Sequence, residues 1–145
     1  MEIVPFEEAD LDEIMEIENV SFAAPWSRQC YLDLAPLDTI SFFVVKDEGK
    51  VLGYMLYQSS GEEMELHTIA VSPGHRREGI AKKMIEHMIS DGKGRGILRF
   101  FLQVRPSNDS ARALYKKYGF TTIGIRKNYY RDNFEDALVM KLELK

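Results

Sequence analysis

The stretch from about Met64 to Val104 constrains the fold of this chain most. A β-rich run, Met64–Val71, ends at Ser72-Pro73-Gly74. From Gly79 to about Ser90 the residues Ile80, Ala81, Met84, Ile85, Met88 and Ile89 then recur on one helical face, and Leu98–Val104 reads as a strand again. A strand, a helix and a strand in succession call for a crossover that lays the two strands parallel. Upstream the pattern is different. Ser41–Lys46 and Val51–Ser59 are separated only by Asp47-Glu48-Gly49-Lys50, a hairpin turn that makes antiparallel neighbours.

The remaining elements follow from local signals. A short strand, Ile3–Pro5, precedes a helix whose start is marked by Asp10 and Glu13 in a capping-box-like spacing, with Leu11, Ile14, Met15 and Glu18 at helical intervals. Ala24-Pro25-Trp26-Ser27 forms a turn, and Ser27 caps a second short helix. Gly92, Gly94 and Gly96 are expected to break the helix that begins at Gly79. Pro106-Ser107-Asn108 punctuates before a helix over Asp109–Tyr118, which Gly119 closes. Two final strands, Thr121–Ile125 and Asp136–Leu142, flank the loop Arg126–Glu135. The expected architecture is α/β, a mixed, mostly antiparallel sheet of six to seven strands with helices on both faces. With no repeat and no linker, residues 1–145 read as one domain.

Composition narrows the function. A net charge of -4 argues against a general nucleic-acid binder. One cysteine, Cys30, cannot form an internal disulfide and lies in an apolar stretch, so packing is its expected role. No secretory leader and no apolar run of membrane-spanning length is visible, which leads us to expect a cytoplasmic protein with no membrane partner. His67, His75 and His87 fall on separate elements without a cysteine cluster, so no metal site is expected.

The segment Gly74-His75-Arg76-Arg77-Glu78-Gly79-Ile80-Ala81-Lys82-Lys83 reverses the overall charge, with four basic side chains against one acid leaving +3. It follows a strand and opens an amphipathic helix. The first turn of a helix presents unpaired N–H groups and a partial positive charge of ~0.5 e, a ready anion site. The segment lacks the Gly-Lys-Ser/Thr ending of a Walker A loop and the glycine spacing of the dinucleotide fingerprint.

Arg76-x-x-Gly79-x-Ala81 resembles the signature of the GNAT acetyltransferase superfamily, and the order of elements is similar to that fold along nearly the whole chain. The resemblance implies acetyl-CoA as co-substrate, with its pyrophosphate held by Arg76, Arg77, Glu78, Gly79, Ile80, Ala81 and Lys82. Its pantetheine arm would lie along Ile69, Ala70 and Val71. Further along, Val104-Arg105-Pro106-Ser107-Asn108, Ala113-Leu114-Tyr115 and Tyr118-Gly119-Phe120 resemble the RimI-like branch, as do Ala24-Pro25-Trp26-Ser27, Asn128-Tyr129-Tyr130 and Glu135-Asp136-Ala137. Enzymes of that branch acetylate protein N-termini, including that of a ribosomal protein. The resemblance then implies that Asn108 contacts the cofactor and Tyr115 is the general acid. A phenol with an unperturbed pKa of ~10 is protonated at neutral pH, as the donor to a departing thiolate of pKa near ~8.5 must be. Tyr115 also belongs, with Ala111, Leu114 and Tyr118, to the apolar stripe of its helix, and Asn108 stands where a helix cap belongs.

The chain departs from the RimI-like pattern at Gln103, where those enzymes carry a glutamate as base. An amide cannot take a proton at neutral pH, though Gln103 could orient a water or the incoming peptide. Alternation along the fourth strand puts Glu65, His67, Ile69 and Val71 on one face, so Glu65 and His67 (ordinary pKa near ~6.5) are the substitute bases. Other GNAT branches place catalytic glutamate or histidine at these offsets. The acceptor side is assigned to Tyr129 and Tyr130, which the resemblance makes the walls of a slot for a peptide backbone, with Trp26 opposite. Glu62, Glu63 and Glu65 could attract a cationic amine there. At pH 7.5 deprotonating a lysine costs roughly 4 kcal/mol and a protein α-amine well under ~1 kcal/mol, so a site without a strong base suits N-termini. A lysine or small amine is the alternative acceptor, and a non-catalytic acyl-CoA-binding module a third reading. A monomer or weak homodimer is expected.

Overall fold

The computed structural model describes residues 1–144. In chain order its elements are β1 (Glu2–Pro5), α1 (Leu11–Ser21), α2 (Arg28–Leu34), β2 (Ile40–Asp47), β3 (Lys50–Ser60), β4 (Glu63–Val71), α3 (Ile80–Gly94), β5 (Arg99–Val104), α4 (Asp109–Lys117), β6 (Thr121–Arg126) and β7 (Ala137–Glu143), with 3-10 turns at Glu8–Asp10 and Pro73–His75. The strands form one sheet in the order β1-β2-β3-β4-β5-β7-β6. Every neighbouring pair is antiparallel except β4 and β5, which the α3 crossover makes parallel. At the β2–β3 hairpin Glu48 (φ 51°) and Gly49 (φ 79°) are both left-handed, the geometry that suits a two-residue turn to strand twist.

Two apolar layers fill the two faces. On one, Ile80, Met84, Ile85 and Met88 of α3 and Tyr115 of α4 pack against Met55, Met64, Leu66, Phe100, Leu102 and Met140. On the other, Leu11, Ile14 and Ile17 of α1 and Tyr31 of α2 pack against Phe42, Val44, Tyr54, Leu56 and Ala70. The helical period of α3 and the strand period of β5 thus each bury the residues their spacing selects.

Three local expectations are corrected. Gly92 does not end α3, which runs on to Gly94; glycine is selected inside the helix because a Cβ there would come within 2.4 Å of Phe100 Cζ. Asp10 and Glu13 do not form a capping box. The Asp10 carboxylate accepts from Glu7 N–H at 2.9 Å and pairs with Lys46 at 2.6 Å, while Glu13 accepts from Val51 N–H at 2.9 Å. The third correction concerns β4. Leu56 pairs with Thr68 and Tyr57 with Leu66, so His67 is the extra residue of a β-bulge. The bulge flips the alternation. Leu66, Ile69 and Val71 all lie in the α3–α4 layer, so Ile69 and Val71 do not share the face of Glu65.

The same region is where the sheet opens. Parallel pairing of β4 and β5 covers only Glu63 with Arg99, Met64 with Phe100 and Glu65 with Phe101. Beyond that the strands part, leaving the backbones of Leu66–Val71 and Leu102–Val104 facing a gap. A crevice at the carboxyl ends of parallel strands is where α/β sheets take ligands.

Candidate active site

The β4 side of the gap leads through Ser72–Glu78 to α3. Gly79 is left-handed (φ 80°), as is Arg77 (φ 67°), and no side chain caps the helix. The first intrahelical bond of α3 runs from Lys83 N–H to Gly79 C=O at 3.0 Å, so the donors of Ile80, Ala81 and Lys82 have no backbone partner among the described residues. Nothing lies within 4 Å of a Cβ built on Gly79, so its positive φ, and not crowding, selects glycine. Glu78 pairs with His75 at 3.3 Å. Arg76, Arg77 and Lys82 have no carboxylate partner among the described residues, which leaves cation and N–H donors around open space. This arrangement can hold a pyrophosphate.

The β5 side leads through Arg105-Pro106-Ser107 to α4. Asn108 caps that helix, its Oδ1 accepting from Ala111 N–H at 3.2 Å. Tyr115 is buried, 5% exposed, with Phe120 edge-on at 5.9 Å. Burial first, and then the neighbouring Tyr130, push its hydroxyl up to about 12. The hydroxyl has no hydrogen-bond partner among the described residues, but is not sealed from solvent as Ser21 Oγ and His87 Nε2 are. Tyr115 is therefore a standing donor without an internal acceptor.

On the opposite face an open groove of about 320 Å³ is lined by Gln58, Glu65, Phe101, Gln103, Arg126 and Val139, among others. Phe101 and Gln103 face it because they alternate with the core residues Phe100, Leu102 and Val104. The structure thus brings Glu65 and Gln103 together. His67 is exposed on its bulge, with Nε2 2.9 Å from Gln58 Oε1. Glu62 and Glu63 are drawn aside to Arg99, at 3.8 and 3.1 Å, which leaves Glu65 as the carboxylate facing the groove without an ion-pair partner among the described residues.

The loop between β6 and β7 carries Tyr129, largely exposed, and Tyr130, half-buried, with rings edge-on at 5.1 Å. It is clamped to the β5–α4 turn through Arg105, a residue that motif matching alone left without a role. Arg105 reaches Asp132 at 2.7 Å, Asn133 at 3.1 Å and Glu135 at 3.2 Å, and its guanidinium lies 3.9 Å from the centre of the Tyr130 ring. Glu135 also accepts from Ser107 N–H at 2.9 Å and Ser107 Oγ at 3.0 Å. The Arg105 bond holds the Asp132 carboxyl below its ordinary range, and the Ser107 bonds do the same for Glu135, with Arg105 adding to them.

Trp26 is half-buried between α1 and α2. Its ring packs at 5.2 Å on Tyr31, and its backbone N–H donates to Glu18 Oε2 at 2.8 Å. Glu18 is 1% exposed and also accepts from the hydroxyls of Tyr31 and Tyr54. The sequence held a signal for it, a carboxylate at a core-facing helical position, that spacing alone did not turn into a buried anchor. Cys30 is half-buried, and burial, Asp33 and Glu18 push its thiol up, which suppresses nucleophilic thiolate.

These elements have clear relatives. Over 144 residues, 98% of this chain and 97% of the relative, the sequence is 34% identical to the "[Ribosomal protein bS18]-alanine N-acetyltransferase" of Escherichia coli (strain K12). Over 139 residues, 92% of this chain and 86% of the relative, it is 30% identical to the "N-alpha-acetyltransferase RimI" of Mycobacterium tuberculosis (strain ATCC 25618 / H37Rv). The crystal structure of the ribosomal-protein-S18-alanine N-acetyltransferase from Escherichia coli superimposes with a TM-score of 0.91, at 34% identity, covering 99% of this chain and 94% of that one. The model of the Acetyltransferase (GNAT) family matches residues 11–120. With an uncapped helix start on one side of a parted β4–β5 pair and Tyr115 on the other, this chain belongs to the GNAT acetyltransferase family, as an N-acetyltransferase.

Proposed function

We propose that the chain transfers the acetyl group of acetyl-CoA to the α-amine at a protein N-terminus, with the N-terminal alanine of ribosomal protein bS18 as the candidate acceptor. The observation that carries this reading is the parted β4–β5 pair, with the uncapped first turn of α3 on one side and the buried, unpartnered Tyr115 phenol on the other. End-to-end likeness to enzymes named for that acceptor supports it.

In this reading the pyrophosphate rests on the first turn of α3, held by Arg76, Arg77, Glu78, Gly79, Ile80, Ala81 and Lys82. The pantetheine arm runs along Ile69, Ala70 and Val71 in the gap. The Asn108 side chain spends its oxygen on the helix cap and offers its amide N–H₂ to the cofactor. The free amine attacks the thioester carbonyl, forming a C–N bond, and the C–S bond then breaks. Tyr115 donates a hydrogen bond to the departing sulfur. With its hydroxyl at about 12, complete transfer to a thiolate of pKa near ~8.5 is uphill, so donation is what it offers.

The ammonium proton needs a separate route, because Gln103 cannot take it. Glu65 shares the groove with Gln103, whereas His67 stands outside and is tied to Gln58. Glu65 therefore takes the proton through water, Gln103 orients the incoming backbone, and His67 is the second candidate. An α-amine of pKa ~7.7–8.0 is already partly neutral at pH 7.5, so this weak relay suffices for it and not for a lysine. Tyr129 and Tyr130 bound the slot, and Trp26 shapes the far side through its packing on Tyr31.

The test is thiol release from acetyl-CoA with short peptides varied in their first two residues, beside an N-terminally blocked peptide that carries an internal lysine. Turnover confined to free N-termini, lowered about 10²-fold or more in Tyr115→Phe, is the expected result. Turnover of the blocked peptide would move the assignment to lysine.

A further inference from the structure

Arg105 is the most heavily engaged polar side chain near the site, and neither the reaction nor cofactor binding as described uses it. It leaves the end of β5 and reaches Asp132, Asn133 and Glu135 on the β6–β7 loop while its flat face lies against Tyr130. Only Arg has the geometry for this, with a rigid fork for several acceptors and a delocalised cation that stacks on an aromatic ring. The side chain is 27% exposed, its partners Asp132 and Glu135 30% and 18%, so solvent screens this network only in part.

The loop it holds needs holding. Asn128 (φ 51°) and Phe134 (φ 57°) are both left-handed non-glycine residues, and Phe134 is exposed, so little apolar burial fixes the backbone there. Asp132 and Glu135 sit close enough to share one cation. Without Arg105 they would repel each other and drive the loop outward, carrying Tyr130 away from the β5–α4 turn.

We propose that Arg105 is a positioning residue for the acceptor side of the site, which fixes the Tyr130 ring and the Asp132–Glu135 loop over the β5–α4 turn. It touches neither cofactor nor reacting atoms and acts through Tyr130. This rests on the assignment of the β6–β7 loop to the acceptor.

The experiment is steady-state kinetics of Arg105→Gln and Arg105→Lys with the amine that the wild-type enzyme acetylates best, alongside acetyl-CoA binding measured by titration and thermal melting. Arg105→Gln should raise the acceptor KM about ten-fold or more while acetyl-CoA affinity stays within about two-fold. Arg105→Lys, which keeps the charge and loses fork and stacking, should fall between. An unchanged acceptor KM would overturn the proposal. So would an acceptor KM, cofactor affinity and melting temperature that all worsen together, since that marks general loosening. Hydrogen exchange of the same variants separates this inference from the proposed function. If the wild type acetylates no amine tried, faster exchange confined to residues 127–136 in Arg105→Gln would still uphold the positioning role, and unchanged exchange there would refute it.

Discussion

Replacing Glu18 with alanine removes one acceptor from three donors, the hydroxyls of Tyr31 and Tyr54 and the backbone N–H of Trp26. Both tyrosines are fully buried, so water cannot stand in for the carboxylate. Burial and Glu18 push both hydroxyls far above an ordinary phenol, with Tyr31 adding to the rise at Tyr54, so they remain donors at any working pH. An orphaned buried donor costs about 1–3 kcal/mol. Both hydroxyls converge on the same Glu18 oxygen and lie near enough to bond each other once it is gone, which leaves one of them and the Trp26 backbone N–H without a partner. Against that stands the relief of no longer stripping a carboxylate of water, itself worth several kcal/mol in part. The net expectation is a loss of about 2 kcal/mol for Glu18→Ala. Glu18→Gln, which keeps an acceptor oxygen, should lose about 1 kcal/mol. Urea unfolding with a slope near ~2 kcal/mol per M would show the alanine variant as a midpoint shift of about 1 M. If Glu18→Gln unfolds later than the wild type, the carboxylate costs more to bury than its three donors return, and the reasoning fails.

Two further predictions concern α3. Gly92→Ala should destabilise by about 1 kcal/mol despite the better helix propensity of alanine, because its Cβ would overlap the buried Phe100 ring at 2.4 Å; Gly94→Ala, with open space around it, should stabilise by about 0.5 kcal/mol. Urea midpoints that move in the same direction would contradict this. His87 packs edge-on to Phe43 at 4.6 Å with Nε2 sealed and unpartnered, and its burial, opposed by Asp91, holds the imidazole below 6.5. Protonation therefore favours the unfolded chain. The His87 contribution is intact above about pH 6.5 and is lost as the pH falls from there toward the folded value, so His87→Gln should flatten the decline in urea midpoint between pH 7 and 5.5 relative to wild type.

What the sequence revealed was mostly local. The Asp47–Lys50 hairpin, the α3 stripe and the Asn108 cap are each decided within a few residues, by turn chemistry, periodicity and one side chain. The resemblance to GNAT enzymes was legible for the same reason, since its signature is a contiguous loop. What stayed hidden depends on partners distant in sequence. Insertion of β7 between β5 and β6 is a pairing choice that no single strand carries. The bulge at His67 is a mismatch between two strands, so strict alternation placed Ile69 and Val71 on the wrong face. Gly92 reads as a breaker until Phe100 is set against it, and Arg105 reads as one more surface cation until the β6–β7 loop folds over it.

The location of the site follows from the single parallel pair. Antiparallel neighbours send their ends to opposite edges of a sheet, so a purely antiparallel version would separate the turn after β4 from the turn after β5. The α3 crossover instead brings both carboxyl ends to one edge, where the Ser72–Gly79 turn and the Arg105–Asn108 turn emerge side by side. Antiparallel β7 then enters from that same edge, because Leu138 pairs with Val104 and Ala137 with Arg126. The β6–β7 loop is thereby delivered beside the end of β5, within reach of Arg105. Pairing β4 to β5 over only three residues completes the arrangement. A longer ladder would close the gap, and the thioester arm assigned to it would have no unpaired backbone to lie against.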